Sequence, residues 1–218
     1  METRRGVAVA GTHGKSTTTA VTGEILLAAG LSPSVVVGAA PIGALAGGRR
    51  GNGDWMVVEA CEYHGNFQHL APELAAILNV EPDHFDCYAS QSELEQAFWH
   101  FARRVPGSGL MLARHECLST MRVVGELCCA VETFGESAAA TWRATEISHR
   151  RGYYRFQLNY RDRPVCQVSL PVPGIHNVWN AVAAAALASH SGASGEAIRQ
   201  GLEGFVGRDT GLFRSGQR

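Results

Sequence analysis

The sequence predicts an α/β fold with a mostly parallel, P-loop-type sheet, helices on its faces and a small antiparallel meander near residues 141–172. Apolar runs alternate with helix-like segments over the first two-thirds of the chain, which is typical of parallel sheets. A glycine-rich turn separates the first apolar run from the first helix-like segment. Segments in which apolar and polar residues alternate then follow one another, separated by short polar turns, as in antiparallel strands. With 218 residues, the chain is long enough for one substantial core.

The predicted parallel part has six strands and three helices. Short apolar runs define the strands Val7–Ala10, Ser34–Val37, Trp55–Ala60, Leu74–Asn79, Gly109–Ala113 and Ala130–Phe134. Helical patterns cover Lys15–Ala29, Ser92–Arg104 and His115–Val124. Ser92 and Glu95 have the spacing of a capping box at the start of the second helix. The glycines between Gly38 and Gly53 predict a mobile surface loop.

The pattern changes in the last third of the chain. Three alternating segments predict the meander strands Thr141–Ser148, Tyr153–Tyr160 and Val165–Val172. Two helices are expected after them, at Asn177–Ser189 and Ser194–Gly204. The first of these is so rich in alanine that a neighbouring helix can approach it closely.

Composition argues against several classes of protein. A net charge of −1 gives no general attraction to nucleic acid or to an anionic membrane. No apolar run approaches the roughly 18 residues of a membrane span. The chain's first predicted strand starts too near Met1 for a signal peptide. The six cysteines form no Cys-x-x-Cys pair, so we expect free thiols, no zinc site and a reducing, cytoplasmic location.

The segment after the first strand has the layout of a phosphate-binding loop. Its lysine, Lys15, is the only lysine among 19 basic side chains, and a compact ammonium on a flexible stem suits β/γ-phosphates. Backbone N–H groups and the start of the next helix would face the phosphates. The predicted nucleotide-binding residues here are Gly11, Thr12, His13, Gly14, Lys15, Ser16 and Thr17. Val9 replaces the first glycine of the full pattern, so a glycine-rich turn without a ligand is the alternative.

The predicted strand Trp55–Ala60 ends in one carboxylate, Glu59, and a second, Glu62, lies a few residues onward. Ligands collect at the carboxyl ends of strands in open α/β sheets, so Glu59 is placed to hold Mg²⁺ opposite the Ser16 hydroxyl. Glu62 is a weaker candidate. The alternative is that Glu59 only caps the strand end or pairs with an arginine. We also expect Lys15 to be an exposed loop residue whose loss leaves the core intact.

A histidine follows the next strand end, within Asn79-Val80-Glu81-Pro82-Asp83-His84-Phe85-Asp86. A lone histidine is most often a satisfied polar residue. His84, however, lies among three carboxylates directly after a strand. This pattern favours a metal ligand, or a group that orients a phosphate-bound water.

The alanine-rich helix begins with another polar group. Asn177 and Asn180 are three residues apart and so share one helical face, next to His176. Asparagine amides carry the donor and acceptor that an adenine edge requires. Helix capping explains the same residues equally well.

Taken together, four segments resemble the central, ATP-binding domain of the Mur ligases, the amino-acid-adding enzymes of peptidoglycan synthesis. They lie in family order along nearly the whole chain: Gly11–Thr18, Glu59–Tyr63, Asn79–Tyr88 and Pro173–Ala181. His13 and the Glu59–Tyr63 segment look most like the branch that joins UDP-N-acetylmuramate to L-alanine. A murein-peptide recycling ligase, another Mur-type ligase and a non-catalytic nucleotide-binding module are the alternatives.

The resemblance implies a reaction and a set of roles. ATP would phosphorylate the carboxylate of UDP-N-acetylmuramate, and the amine of L-alanine would attack the acyl phosphate. Lys15 and His84 would be catalytic; Ser16, Glu59 and His84 would hold Mg²⁺; His176, Asn177 and Asn180 would lie at the nucleotide base. Residues 1–207 would form the central domain and 208–218 a linker toward an absent C-terminal domain. The N-terminal UDP-binding domain would also be absent, and the chain alone is expected to be inactive as a ligase.

Overall fold

The computed structural model describes residues 4–38, 48–82 and 87–205. Within these ranges the chain forms one sheet of ten strands, five α-helices and a 3₁₀ segment at Tyr63–His69. The strands are β1 Arg5–Ala10, β2 Ser34–Val36, β3 Gly48–Arg49, β4 Trp55–Glu59, β5 Leu74–Ile77, β6 Leu110–Arg114, β7 Ala130–Gly135, β8 Trp142–Arg150, β9 Tyr153–Tyr160 and β10 Arg163–Pro173. The helices are α1 Lys15–Ala28, α2 Gln91–Ala102, α3 Leu118–Val124, α4 Ile175–His190 and α5 Gly195–Glu203.

The sheet order is β10-β9-β8-β7-β6-β5-β1-β4-β2-β3. From β2 to β8 all neighbouring strands are parallel, whereas β9 and β10 continue the sheet as an antiparallel meander. β1 lies between β4 and β5, so the turns that follow these three strands meet at one edge. The predicted fold class and the meander are confirmed.

Helices cover both faces of the sheet because its central strands are apolar on both sides. Val7 and Val9 of β1 pack into the core under α1, α4 and α5. Ala8 and Ala10 pack into the second core, under α2, α3 and the 3₁₀ segment. The alanines of α4 are fully or almost fully buried, which fits the predicted packing role of this helix. None of the helices in the described part of the chain is long and apolar enough to cross a membrane.

Some local details differ from the sequence-based expectation. The cap of α2 is Ser90, whose hydroxyl accepts a hydrogen bond from the Glu93 N–H, so the predicted Ser92–Glu95 capping box was wrong by two residues. α3 begins at Leu118 rather than His115. The loop predicted from Gly38 to Gly53 contains the short strand β3, and residues 39–47 lie outside the described ranges.

A buried carboxylate ties the meander to α4. Glu132 on β7 accepts hydrogen bonds from Trp142 Nε1 at 2.7 Å and from the Tyr160 hydroxyl at 2.9 Å. His190 Nε2, in the last turn of α4, lies 2.8 Å from the same carboxylate, and an Arg161 nitrogen lies at 3.5 Å. Each side chain comes from a different place in the fold. Glu132 therefore fixes the far end of the helix whose first residues lie near the phosphate loop.

Candidate functional site

The loop after β1 leads directly into α1. Gly14 has a left-handed backbone (φ 86°), and α1 begins at Lys15 with a hydrogen bond from the Thr18 N–H to the Gly14 carbonyl. The first N–H groups of a helix have no partner inside it and point out of its N-terminus. This arrangement is that of an anion-binding turn.

The Lys15 ammonium is held by three acceptors. They are the Gly11 carbonyl at 2.6 Å, the Thr12 carbonyl at 3.1 Å and Glu62 Oε1 at 2.9 Å. The Lys15 side chain is only 13% exposed and that of Glu62 only 1%. The expectation of an exposed loop lysine was therefore wrong. The sequence did not reveal this pairing because the turn after β4 folds back toward the loop.

Glu59, the last residue of β4, lies beside Ser16 in the first turn of α1. The Ser16 hydroxyl donates to Glu59 Oε1 at 3.0 Å, while the Gly38 N–H donates to Oε2 at 2.8 Å. A hydroxyl and a carboxylate are hard oxygen donors. They fit Mg²⁺, which takes one or two carboxylates together with phosphates and waters. Mg²⁺ bound in this way does not need a set of ligands supplied by the protein alone. Within residues 4–38, 48–82 and 87–205, no group of three or more His, Cys, Asp or Glu side chains could hold a metal ion.

The turn that carries Glu62 is itself anchored. The Tyr88 hydroxyl donates to the Glu62 backbone carbonyl. Burial, together with the nearby charge of Glu62, raises the pKa of Tyr88 above its ordinary value, so this phenol stays protonated as a donor. Tyr88 is the last residue of the Asn79–Tyr88 segment that resembles the Mur ligases, but it was not predicted to be a site residue.

The first half of the loop is bound to the segment that follows β5. The Thr12 hydroxyl donates to the Glu81 carbonyl at 3.1 Å and accepts from the Glu81 N–H at 3.0 Å. The side chain of Asn79 makes two hydrogen bonds to the backbone of His13. The His13 imidazole itself is exposed and lies 3.9 Å from the Glu81 carboxylate. The sequence analysis did not predict the hydrogen bonds between Asn79 and the loop. The only sequence signal for them is that Asn79 is a polar residue just after a strand that neighbours β1.

The predicted base-binding residues lie at the start of α4, and one of them reaches the loop. Asn180 Nδ2 donates to Asn177 Oδ1 at 3.3 Å, and Asn177 Nδ2 donates to the Pro173 carbonyl at 2.7 Å. The Oδ1 atom of Asn180 lies against Gly14. His176 is exposed beside Gly174. Gly174 is the N-cap of α4 and no side chain caps this helix, so the capping alternative for Asn177 and Asn180 was wrong, whereas base binding stays a prediction.

His84 lies outside the described residues, as does the predicted linker at 208–218. Thr17 lies in the first turn of α1 and is partly buried. The structure thus brings Lys15, Ser16 and Glu59 together beside the loop, and the roles assigned to them remain predictions.

We expect Gly14→Ala to lower the free energy of unfolding by more than Gly30→Ala does. Both glycines have a left-handed backbone, with φ of 86° and 74°, which costs an L-residue about 1–2 kcal/mol. A Cβ on Gly14 would lie 2.5 Å from Asn180 Oδ1, whereas a Cβ on Gly30 has nothing within 4 Å. Urea unfolding of the two variants measures the difference. Equal losses would contradict the close contact between Asn180 and the loop.

The chain is similar to known proteins over most of its length. Residues 9–188 match the Mur ligase middle domain. The chain is 34% identical over 220 residues to a UDP-N-acetylmuramate–L-alanine ligase of Ruegeria pomeroyi, covering 100% of the chain and 47% of that relative. It is 39% identical over 216 residues to the protein of the same name from Mesorhizobium japonicum, covering 95% of the chain and 46% of the relative. The chain thus spans about half the length of the curated relatives it matches.

Two solved structures have a similar fold. A UDP-N-acetylmuramate–alanine ligase from Thermotoga maritima superposes with a TM-score of 0.78 at 29% identity, covering 94% of this chain and 45% of that one. The UDP-N-acetylmuramate:L-alanyl-γ-D-glutamyl-meso-diaminopimelate ligase from Neisseria meningitides gives a TM-score of 0.83 at 27% identity. That match covers 94% of this chain and 67% of the other.

Proposed function

Because the chain belongs to the Mur ligase family and matches its middle domain, we propose that it is the ATP-binding part of a UDP-N-acetylmuramate–L-alanine ligase. The observation that carries the proposal is the meeting of Lys15, Ser16 and Glu59 beside one loop at the carboxyl edge of the sheet. The reaction would be ATP-dependent amide formation through an acyl phosphate, with UDP-N-acetylmuramate and L-alanine as substrates, in the cytoplasm.

The proposed chemistry assigns a task to each of these side chains. Lys15 would stabilise charge on the β/γ-phosphates, because a preorganised cation is most effective where charge develops. Ser16 and Glu59 would hold Mg²⁺, which supplies further charge neutralisation when bound. Lys15 has three N–H donors and three acceptors already surround it, so a phosphate oxygen must take the place of at least one of them. Glu62 is the charged member of that set and would compete directly with the nucleotide.

The alanine-adding branch is favoured by the curated relatives, which match the chain over 95–100% of its length. A second candidate is the murein-peptide recycling ligase, favoured by the TM-score of 0.83 with the Neisseria structure. Both candidates share the ATP site. They differ in the amine that attacks the acyl phosphate.

Chimaeric ligases test the proposal. In one, the chain replaces the matching middle part of the Ruegeria alanine ligase; in the other, it replaces that of the Neisseria recycling ligase. We expect phosphate release and the amide product, with L-alanine as the amine, in the first chimaera. The same chimaera with Glu59→Gln should lose that turnover, because its metal-facing carboxylate is gone.

Each other outcome has a clear meaning. Turnover only in the recycling-ligase chimaera would favour the second candidate. Mg-ATP binding without phosphate release in either chimaera would identify a non-catalytic nucleotide-binding module. Absence of Mg-ATP binding in both would contradict the proposed function.

A further inference from the structure

The segment that follows β5, residues Leu78–Glu81, is hydrogen-bonded to the end of β1 and to the phosphate loop. The Leu78 N–H donates to the Ala10 carbonyl at 2.9 Å, and the Thr12 N–H donates to the Asn79 carbonyl at 3.1 Å. A Cβ on Gly11 would lie only 3.0 Å from Leu78 Cβ, so the two backbones are in close contact. The first half of the phosphate loop is therefore held in place by backbone contacts with the segment Leu78–Glu81.

One side chain completes this attachment. Asn79 Oδ1 accepts a hydrogen bond from the His13 N–H at 2.7 Å, and Asn79 Nδ2 donates to the His13 carbonyl at 3.1 Å. Both backbone groups of a single residue are thus satisfied by one carboxamide. Aspartate lacks the donor, and serine or alanine cannot supply both bonds, so the chemistry selects an amide here.

This contact sorts the N–H groups of the loop into two sets. The N–H groups of Thr12 and His13 are used by the Asn79 backbone and side chain. The N–H groups of Lys15, Ser16 and Thr17 open α1 and have no partner within the helix. A phosphate can accept hydrogen bonds from the second set. The direction in which these N–H groups point depends on how the backbone of Thr12 and His13 is held.

We propose that Asn79 is a positioning residue for phosphate binding, because its carboxamide fixes the His13 peptide and thereby the direction of the loop N–H groups that follow. Asn79 touches no reacting atom in this account. The proposal rests on the proposed function for the identity of the nucleotide, but not for the binding of phosphate itself.

The test compares Asn79→Ala and Asn79→Asp with Asn52→Ala. Asn52 is an exposed asparagine just before β4, at the opposite edge of the sheet. Three quantities are measured: affinity for Mg-ATP and for inorganic tripolyphosphate by calorimetry, the ¹⁵N–¹H signal and hydrogen exchange of the His13 amide, and the thermal midpoint. Asn79→Asp keeps the shape of the side chain and carries the test should Asn79→Ala fold poorly.

We expect Asn79→Ala to weaken binding of both phosphate probes about tenfold, since two hydrogen bonds that shape the loop are lost. Asn79→Asp should weaken it further, because an anionic oxygen then faces the His13 carbonyl. In both variants the His13 amide signal should shift and its exchange should accelerate, while the thermal midpoint falls by a few degrees, about 2–4 °C for each kcal/mol of stability lost. Asn52→Ala should match the wild type in every measurement.

Two results would overturn the positioning role: wild-type affinity for tripolyphosphate in both Asn79 variants, or an unchanged His13 amide. Failure of the proposed function looks different. If the wild-type chain binds tripolyphosphate with no preference for ATP, and Asn79→Ala weakens that binding, the nucleotide assignment fails while the positioning role stands.

Discussion

Lys15→Met is expected to weaken Mg-ATP binding by about a hundredfold, because hydrogen bonds to charged groups contribute about 1.5–3 kcal/mol each. Methionine keeps the apolar stem and removes only the ammonium. Calorimetric titration of Mg-ATP measures the loss. Arg50→Met is the matched control, since it removes one positive charge from an exposed loop position without touching the phosphate loop.

The same substitution is also expected to destabilise the fold. Removing Lys15 leaves the Glu62 carboxylate buried without this cation, and breaking a buried ion pair in this way costs about 3–5 kcal/mol. The double variant Lys15→Met/Glu62→Gln should therefore recover much of the free energy of unfolding while Mg-ATP binding stays weak. Recovery of binding in the double variant, or wild-type affinity in Lys15→Met, would contradict the role given to the lysine.

Glu132→Ala is expected to lower the free energy of unfolding by about 3–5 kcal/mol at neutral pH, because it leaves buried donors of Trp142 and Tyr160 without their acceptor. Glu136→Ala, four residues away and exposed, should change it by less than about 0.5 kcal/mol. Urea unfolding of the three proteins measures both values. Equal losses in the two variants would show that the Glu132 cluster adds nothing specific.

The effect of Glu132 should also depend on pH. Burial alone would raise the pKa of Glu132, but hydrogen bonds from His190, Trp142 and Tyr160 outweigh it and hold the pKa below its ordinary value of 4.5. A lowered folded-state pKa means that the carboxylate stabilises the fold above pH 4.5 and loses this contribution as the pH falls through the folded-state pKa. The difference between wild type and Glu132→Ala should therefore shrink below pH 4.5. A difference that grows with acidification would have the wrong sign.

The sequence predicted what depends on local pattern and on the geometry of parallel sheets. Apolar alternation located the parallel strands, and the rule that carboxyl strand ends meet at one edge placed Glu59 beside Ser16. It did not predict β3, since two residues carry no periodicity and pair only because β2 is there. It predicted Ser92 as the cap of α2, whereas the cap is Ser90. Both serines are followed by a glutamate three residues later, so the sequence pattern alone does not distinguish them.

The missed parts of the candidate site are non-local side-chain contacts. Lys15 and Glu62 are 47 positions apart, and His13 and Asn79 are 66 apart. Neither pair produces a periodic pattern in the sequence, because each contact depends on how the turn after a strand folds back toward the phosphate loop. Polar residues directly after the strands that flank β1 are the sequence signal of these contacts.

Nucleotide and metal are expected to meet at the carboxyl edge of the sheet. A crystal structure of the chain with Mn²⁺ and a non-hydrolysable ATP analogue tests this expectation, because the metal can be located by its anomalous signal. We predict a metal within about 2.2 Å of both the Ser16 hydroxyl and a Glu59 oxygen, with phosphate oxygens against Lys15. A metal-bound triphosphate at the opposite edge, where Arg4, Arg5 and Arg104 line a cavity of about 640 Å³, would show that the nucleotide site lies elsewhere.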